Sequence, residues 1–477
     1  MPDVIYENTL LFIITLCFYG AGIICAAKAI LQSRTPQGSA AWVMSLLSFP
    51  MLSVPLFLIF GRSKFEGYNT RRRLLDESVM KKLESLKAID PAFMEGEGET
   101  KIISAVISSK NRQPGFTRKN SIRLLVNAEE TYGAMLAAME KAQKYIILQS
   151  YIFRCDEIGN RFVDVMIRKA KEGVRVSFIN DQIGVKVPKA LVKKLCDGGV
   201  ETGCFNNSNG KGRLQINFRN HRKILVVDGA VAYVGGHNIG DDYLGKWKIY
   251  GPWRDTHVEL KGPSVIAAQL AAAKDWYCVK EKIIEADWKV QTHADDATVM
   301  VLHTGPADEK HACLLSHIAI INSASERLWI ANPYFVPPES LMHAILLASL
   351  RGVDVRVLVP AYSDARSVML ASEVYQKILL EHGVKVYRYD KGFLHQKAMV
   401  VDESYAVVGS ANFDCRSMFI NFEISVICTQ KEFVTQVGEM LLKDYAYSEE
   451  LNLAEFKNAP LLRKITTRGA NLMAPIL

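Results

Sequence analysis

HRKILVVDGAVAYVGGHN (residues 221–238) and HQKAMVVDESYAVVGSAN (residues 395–412) write one pattern twice in a single chain. His221, Lys223, Asp228, Gly235, Gly236 and Asn238 stand at the same intervals as His395, Lys397, Asp402, Gly409, Ser410 and Asn412, and only the Gly236/Ser410 position differs in type. The apolar run after each His-x-Lys reads as a strand. A period of two then puts His221 and Lys223 on one face and Arg222 on the other. The small residues ahead of each asparagine let the backbone approach another group closely. Two histidines, two lysines and two asparagines form a set of donors suited to a phosphate.

The likeness extends upstream. KYIILQSYIF (144–153), EGVRVSFIND (172–181) and GGVETGCF (198–205) precede the first motif; RLWIANPYFV (327–336), RGVDVRVLVP (351–360) and HGVKVYRY (382–389) precede the second in the same order. Each half alternates β-branched runs with amphipathic stretches such as Arg161–Glu172 and Leu341–Leu350. This predicts an α/β sandwich with a mixed sheet in each half, over 120–285 and 286–450. Two copies are too few for a solenoid, so the duplication points to one site shared between similar halves.

Asn8–Ala27 carries no charge and is long enough, at ~1.5 Å per residue, to cross a ~30 Å hydrocarbon core. Asp3 and Glu7 precede it, where a cleaved signal peptide would be basic. A second uncharged run, Thr35–Gly61, has its apolar part at 40–60 and contains Pro50 and Pro55. It reads as a second membrane segment whose proline kinks a bilayer tolerates, or as a re-entrant loop. Arg62, Lys64, Arg71, Arg72, Arg73, Lys81 and Lys82 follow, predicting a cytoplasmic body. Residues 66–119 read as a charged connector. The tail, 451–477, sets Arg463, Lys464 and Arg468 among apolar residues, as an interfacial helix does. Lys186, Lys189, Lys193 and Lys194 read as a solvated helix face.

The 477-residue chain is 49% hydrophobic and 23% charged, so disorder does not dominate. Its net charge of +8 suits a phosphate-bearing partner, whether nucleic acid or an anionic membrane surface. The nine cysteines are scattered without a CxxC pair, against a disulfide framework or a zinc site.

The two motifs resemble the HKD motifs of the phospholipase D superfamily. The order of two leading membrane segments, connector and two HKD halves is similar to that of bacterial cardiolipin synthases, as are PYFVP (333–337) and LHQKAMVVD (394–402). The resemblance implies transfer of a phosphatidyl group from one phosphatidylglycerol to another through a covalent phosphatidyl-histidine, with no metal or cofactor. It makes His221 the nucleophile and His395 the acid and base. Lys223, Lys397, Asn238 and Asn412 would hold the phosphate oxygens. A carboxylate about thirty residues beyond each histidine would orient an imidazole: Asp255, with Glu259 as its rival, and Glu423. Asp228 and Asp402 belong to the catalytic motif by name, but they lie seven residues past their histidines. That odd interval turns them away on a strand, so they read as holding the turn. The remaining histidines, and the Trp and Tyr of NPYF and DWY, read as ordinary core.

The partners implied are phospholipids and a bilayer, with no nucleic acid, in a multi-pass protein of the bacterial inner membrane. A hydrolase on the same scaffold is the competing reading. A nuclease would need a basic groove with stacking aromatics and no membrane helices. Intact His, Lys and Asn in both halves argue against a non-catalytic scaffold.

Overall fold

The computed structural model describes residues 2–32, 36–61, 100–101, 103–104, 114–184, 187–205, 217–247, 251–306, 308 and 311–477. The basic cluster from Arg62 to Lys82, most of the 66–119 connector, and Lys186 lie outside the described residues.

The N-terminal unit begins with helix Pro2–Gln32. Within it Thr9–Leu31, of mean hydropathy 2.4, is the one stretch among the described residues long and apolar enough to cross a membrane. Leu10, Phe12, Leu16, Ile23 and Ile24 are exposed along it. The expected second membrane segment, 40–60, is not one helix. It forms two short helices, Pro36–Ser48 and Pro50–Phe60, of 13 and 11 residues. The break falls at Phe49, with φ −136° and ψ 60°. Pro50 disfavours helical dihedrals in the residue before it and has no N–H to continue the ladder. At ~1.5 Å per residue neither piece spans ~30 Å alone. Pro55 stays inside the second helix. Ala26, Ala29, Leu46, Val54 and Phe57 pack these helices together. Trp42 sets its edge on Phe57 with ring centroids 5.2 Å apart.

The larger, second unit is built from two similar halves. The first contains β1 (Thr117–Val126), β2 (Tyr145–Ser150), β3 (Arg175–Asp181), β4 (Glu201–Phe205), β5 (Ile224–Val227), β6 (Val231–Gly235), β7 (Trp253–Arg254) and β8 (Thr256–Lys261). The second contains β9 (Ala297–Thr304), β10 (Arg327–Ala331), β11 (Asp354–Pro360), β12 (Lys385–Tyr389), β13 (Phe393–Leu394), β14 (Ala398–Val401), β15 (Tyr405–Gly409) and β16 (Glu423–Cys428), with an edge strand β17 (Ser448–Glu450). The orders β4-β3-β2-β5-β6-β8-β1 and β12-β11-β10-β14-β15-β16-β9 repeat one topology. Parallel pairs lead and antiparallel pairs follow in each.

The halves do not keep separate sheets. β1 pairs antiparallel with β9, with a register break between Thr117 and Asn120, and this joins all but β7 and β13 into one 15-stranded sheet. The central strands β5 and β14 are buried along their whole length, which their unbroken apolar runs ILVV and AMVV require. The strands begin at Ile224 and Ala398, so each His-x-Lys lies in the extended connection just ahead of its strand.

Two helices, Ser264–Lys280 and Lys431–Ala446, lie at corresponding positions in the two halves. The tail forms helix Leu461–Asn471, tied to helix Arg366–Glu381 by Arg463 and Glu373 at 2.9 Å. Leu461, Leu462 and Ile465 remain exposed on it.

Candidate active site

Each histidine loop is laced to the other half through the backbone. The His221 N–H donates to the Phe422 carbonyl at 2.9 Å, and the Phe422 N–H donates to the Arg219 carbonyl at 2.9 Å. In the second half the His395 N–H donates to the Arg254 carbonyl at 2.8 Å, and β13 pairs in parallel with β7. Phe422 and Arg254 are the residues just before Glu423 and Asp255. The lacing therefore crosses the dyads. His221 Nδ1 lies 3.0 Å from Glu423 Oε2, and His395 Nδ1 lies 2.5 Å from Asp255 Oδ2. Spacing along the chain names the carboxylates but not which imidazole each serves. Glu259, the rival to Asp255, is engaged elsewhere, with Arg123 at 3.0 Å and the Tyr233 hydroxyl at 2.8 Å.

With Nδ1 committed to a carboxylate, Nε2 is the ring nitrogen left for chemistry. Burial pushes the His221 imidazole down to about 4, against the pull of Glu423 and helped by Lys223 and Lys397. Burial also pushes His395 well down, helped by Lys397, Lys223 and His221, so the two imidazoles lie within each other's field. Burial lowers Lys397 to about 8 and Lys223 further below its usual range. Each ammonium turns back to the carbonyl of its own histidine.

Burial thus keeps both imidazoles neutral at pH 7 before a phosphate binds. A bound phosphate anion offsets the two ammonium charges and makes an imidazolium less costly. The expected result is that a phosphate analogue raises the titration midpoint of one active-site histidine, read from its ring proton shifts. An unchanged midpoint in an occupied site would contradict this electrostatic picture.

The one position at which the copies differ has a steric explanation. Glu423 is held by the hydroxyls of Ser410 at 2.5 Å and Ser417 at 2.9 Å, and by the Asn421 amide at 3.1 Å. At the matching Gly236, a Cβ would stand 2.1 Å from Asp255 Oδ1. The Asp255 carboxylate lies against the Gly236 backbone, so a serine there has no room.

Asp228 and Asp402, counted in the catalytic set by motif membership, lie outside the site. Asp228 accepts backbone N–H groups from Gln143, Lys144 and Tyr145, each at 2.8 Å. Asp402 accepts those of Ser325, Glu326 and Arg327, also at 2.8 Å. Each pins the turn that leads into β2 or β10. Both adopt left-handed backbone, with φ 53° and 48°. Asp402→Ala is expected to lower stability by about 3 kcal/mol, through lost charged hydrogen bonds and left-handed strain. Turnover per folded molecule should change little. Urea midpoints and turnover normalised to folded protein check this; loss of turnover without loss of stability would return Asp402 to the catalytic set.

The asparagines differ from a simple pair of phosphate donors. The Asn238 amide donates to the Tyr243 hydroxyl at 2.7 Å, and its carbonyl oxygen accepts from the Ile152 N–H at 3.0 Å. Asn238 therefore positions Tyr243, whose ring stands 5.5 Å from that of His395. Asn412 is buried, and its backbone N–H donates to the Ser417 hydroxyl at 3.1 Å.

Two groups escaped the sequence reading. The first holds the catalytic loops. Arg222, between His221 and Lys223, pairs with Asp275 at 2.7 Å and donates to the carbonyls of Thr304 at 2.7 Å and Glu423 at 3.1 Å. In the second half Asp444 takes Arg254 at 2.9 Å and Gln396 at 2.8 Å. The available signal was a charged or amide residue on the buried face of each His-x-Lys.

The second group is aromatic. Tyr151 stands 5.0 Å from the His221 ring, and Trp253 and Phe393 stand 5.3 and 5.6 Å from His395. Tyr334 of NPYF packs against the core of the first half and also reaches this group, at 6.4 Å from His395 with its hydroxyl 2.5 Å from Asp364. Trp276 of DWY is core. Among the described residues, no three of His, Cys, Asp and Glu gather as metal ligands.

A family profile described as "Cardiolipin synthase, PLD-like domain" matches residues 135–247 and 317–445, one segment in each half. Cardiolipin synthase A of Pseudomonas aeruginosa (strain LESB58) is 39% identical, over 100% of this chain and 98% of its own length. Cardiolipin synthase A of Pseudomonas fluorescens is 38% identical over 96% of each. Phosphatidylserine synthase of Haemophilus influenzae Rd KW20 has the same fold, with a TM-score of 0.61 at 15% identity, over 79% of this chain and 100% of that one.

Proposed function

We infer the reaction from one premise: the chain belongs to the cardiolipin synthase family of phospholipase D-like proteins. It is a phosphatidyltransferase that makes cardiolipin. The observation that carries the mechanism is the pair of crossed dyads, two buried imidazoles from different halves, each backed by the other half's carboxylate beside two lysines.

His221 Nε2 attacks the phosphorus of one phosphatidylglycerol. The bond from phosphorus to the glycerol oxygen breaks, and His395, protonated at Nε2 once the phosphodiester is bound, gives that oxygen its proton. Glycerol leaves. The free hydroxyl of a second phosphatidylglycerol then gives its proton to His395 and attacks phosphorus, and the bond to His221 breaks. Cardiolipin results and both imidazoles return to their starting state. His221 is the nucleophile by likeness to relatives whose first-half histidine attacks. Lys223 and Lys397 stabilise the charge on the non-bridging oxygens. Glu423 and Asp255 fix the tautomers, Asn238 acts through Tyr243, and Asn412 is left as the asparagine that holds a phosphate oxygen. The aromatic wall around both rings keeps water from the phospho-histidine, as transfer in place of hydrolysis requires.

Substrates and product are bilayer lipids, which suits the apolar helix Thr9–Leu31 as an anchor in the bacterial inner membrane. The helix–break–helix 36–60 re-enters beside it and the body faces the cytoplasm. Purified protein given labelled phosphatidylglycerol should yield cardiolipin and glycerol in equal amounts by mass spectrometry. Phosphatidic acid as the sole lipid product would make the chain a hydrolase and overturn this reading.

A further inference from the structure

The transfer involves two phosphates, and the paired histidines engage one. The acceptor is itself a phosphodiester lipid. When its hydroxyl reaches the phospho-histidine, its own phosphate lies three carbons away, on the order of 6–8 Å from the reacting phosphorus. Lys223 and Lys397 are committed to the reacting group.

A second cationic position lies beside His221. Tyr151 sets its ring edge-on to that imidazole at 5.0 Å. Arg219, two residues ahead of His221, extends Nη1 to the Tyr151 hydroxyl at 3.4 Å. Its Nε is buried and has no hydrogen-bond partner among the described residues. Arg416, on the short helix Cys415–Phe419 of the other half, accepts the Asn421 N–H at its carbonyl at 2.7 Å, and the Asn421 amide reaches Glu423, the partner of His221, at 3.1 Å; its charge also acts on the Tyr151 phenol. The nearby carboxylates are already engaged. Asp181 accepts from the N–H groups of Asn220 at 2.7 Å and Ile183 at 2.8 Å, and Asp414 caps its helix through the Ser417 N–H at 2.7 Å.

We propose that Arg219 and Arg416, brought together at Tyr151 from the two halves, hold the non-reacting phosphate of the acceptor lipid and so select a phospholipid acceptor over a simple alcohol. Guanidinium groups suit this task because they are always charged and present a planar fork to phosphate oxygens. The proposal rests on the transferase reading above and adds to it the group that recognises the acceptor.

The test compares two acceptors on one enzyme. Cardiolipin formation needs an acceptor with its own phosphate. Exchange of labelled glycerol into phosphatidylglycerol uses the same phospho-histidine and an acceptor without one. Arg219→Gln and Arg416→Gln should each lower the ratio of cardiolipin formed to glycerol exchanged by about ten- to a hundredfold, the effect of one charged hydrogen bond. Arg219→Lys should recover part of it. Because both products come from one sample, misfolding cancels in the ratio. An unchanged ratio, or equal loss of both products, overturns the subsite. Wild-type protein giving neither cardiolipin nor exchange would sink the transferase reading, and the subsite with it.

Discussion

His221→Ala and His395→Ala are each expected to lower cardiolipin formation by about 10³- to 10⁶-fold. On the proposed mechanism the first variant lacks the nucleophile, and in the second the departing glycerol oxygen leaves unprotonated. The two variants should not be equally stable. Glu423 keeps Ser410, Ser417 and Asn421 when His221 is removed. Asp255 keeps the Thr256 N–H at 2.7 Å when His395 is removed, a poorer replacement for a buried carboxylate. His395→Ala should therefore melt lower than His221→Ala. Turnover of labelled phosphatidylglycerol together with thermal melts tests both statements. Wild-type activity in either variant would end the paired mechanism, and equal melts would contradict the asymmetric support.

The second large effect is on folding. Asp275 is fully buried on helix Ser264–Lys280 and binds Arg222, Asn220 and Gln149 at once, at 2.7, 2.8 and 2.8 Å. Asp275→Ala leaves the Arg222 guanidinium buried without its counter-charge. The expected cost is about 3–5 kcal/mol, a large part of the stability of an ordinary domain. Replacing both partners with apolar residues, as in R222M with D275L, should recover part of the loss, because no lone charge stays behind. Denaturant midpoints of the single and double variants measure it. A single variant within 1 kcal/mol of wild type, on the order of an exposed pair, would show that the network does not hold the loop.

Much of the site was legible because the sequence repeats itself. His221, Lys223, His395 and Lys397 are set by one pattern at one spacing, whereas Asp228 and Asp402 lie in left-handed turns just past β5 and β14, where strand periodicity does not apply. The crossing of the dyads was hidden. It depends on backbone bonds from His221 to Phe422 and from His395 to Arg254, each more than a hundred residues away. Asn238 was legible as a polar neighbour, but not as a support for Tyr243. Tyr334 was legible as a packing residue, but not as a neighbour of His395. The second apolar run was misjudged from a visible residue: Pro50 breaks the helix one position ahead of itself, where a membrane setting had been expected to tolerate it. The continuous sheet was unreadable, since β1 and β9 are edge strands of halves that each look complete.

The central claim is that two imidazoles act in turn on one phosphorus. The stereochemical course at phosphorus tests it most directly, using phosphatidylglycerol made chiral there by isotopic or sulfur substitution. Two successive in-line displacements each invert the centre, so cardiolipin should retain the donor's configuration. Inversion would mean that the acceptor displaces glycerol in a single step with no phosphatidyl-histidine between them.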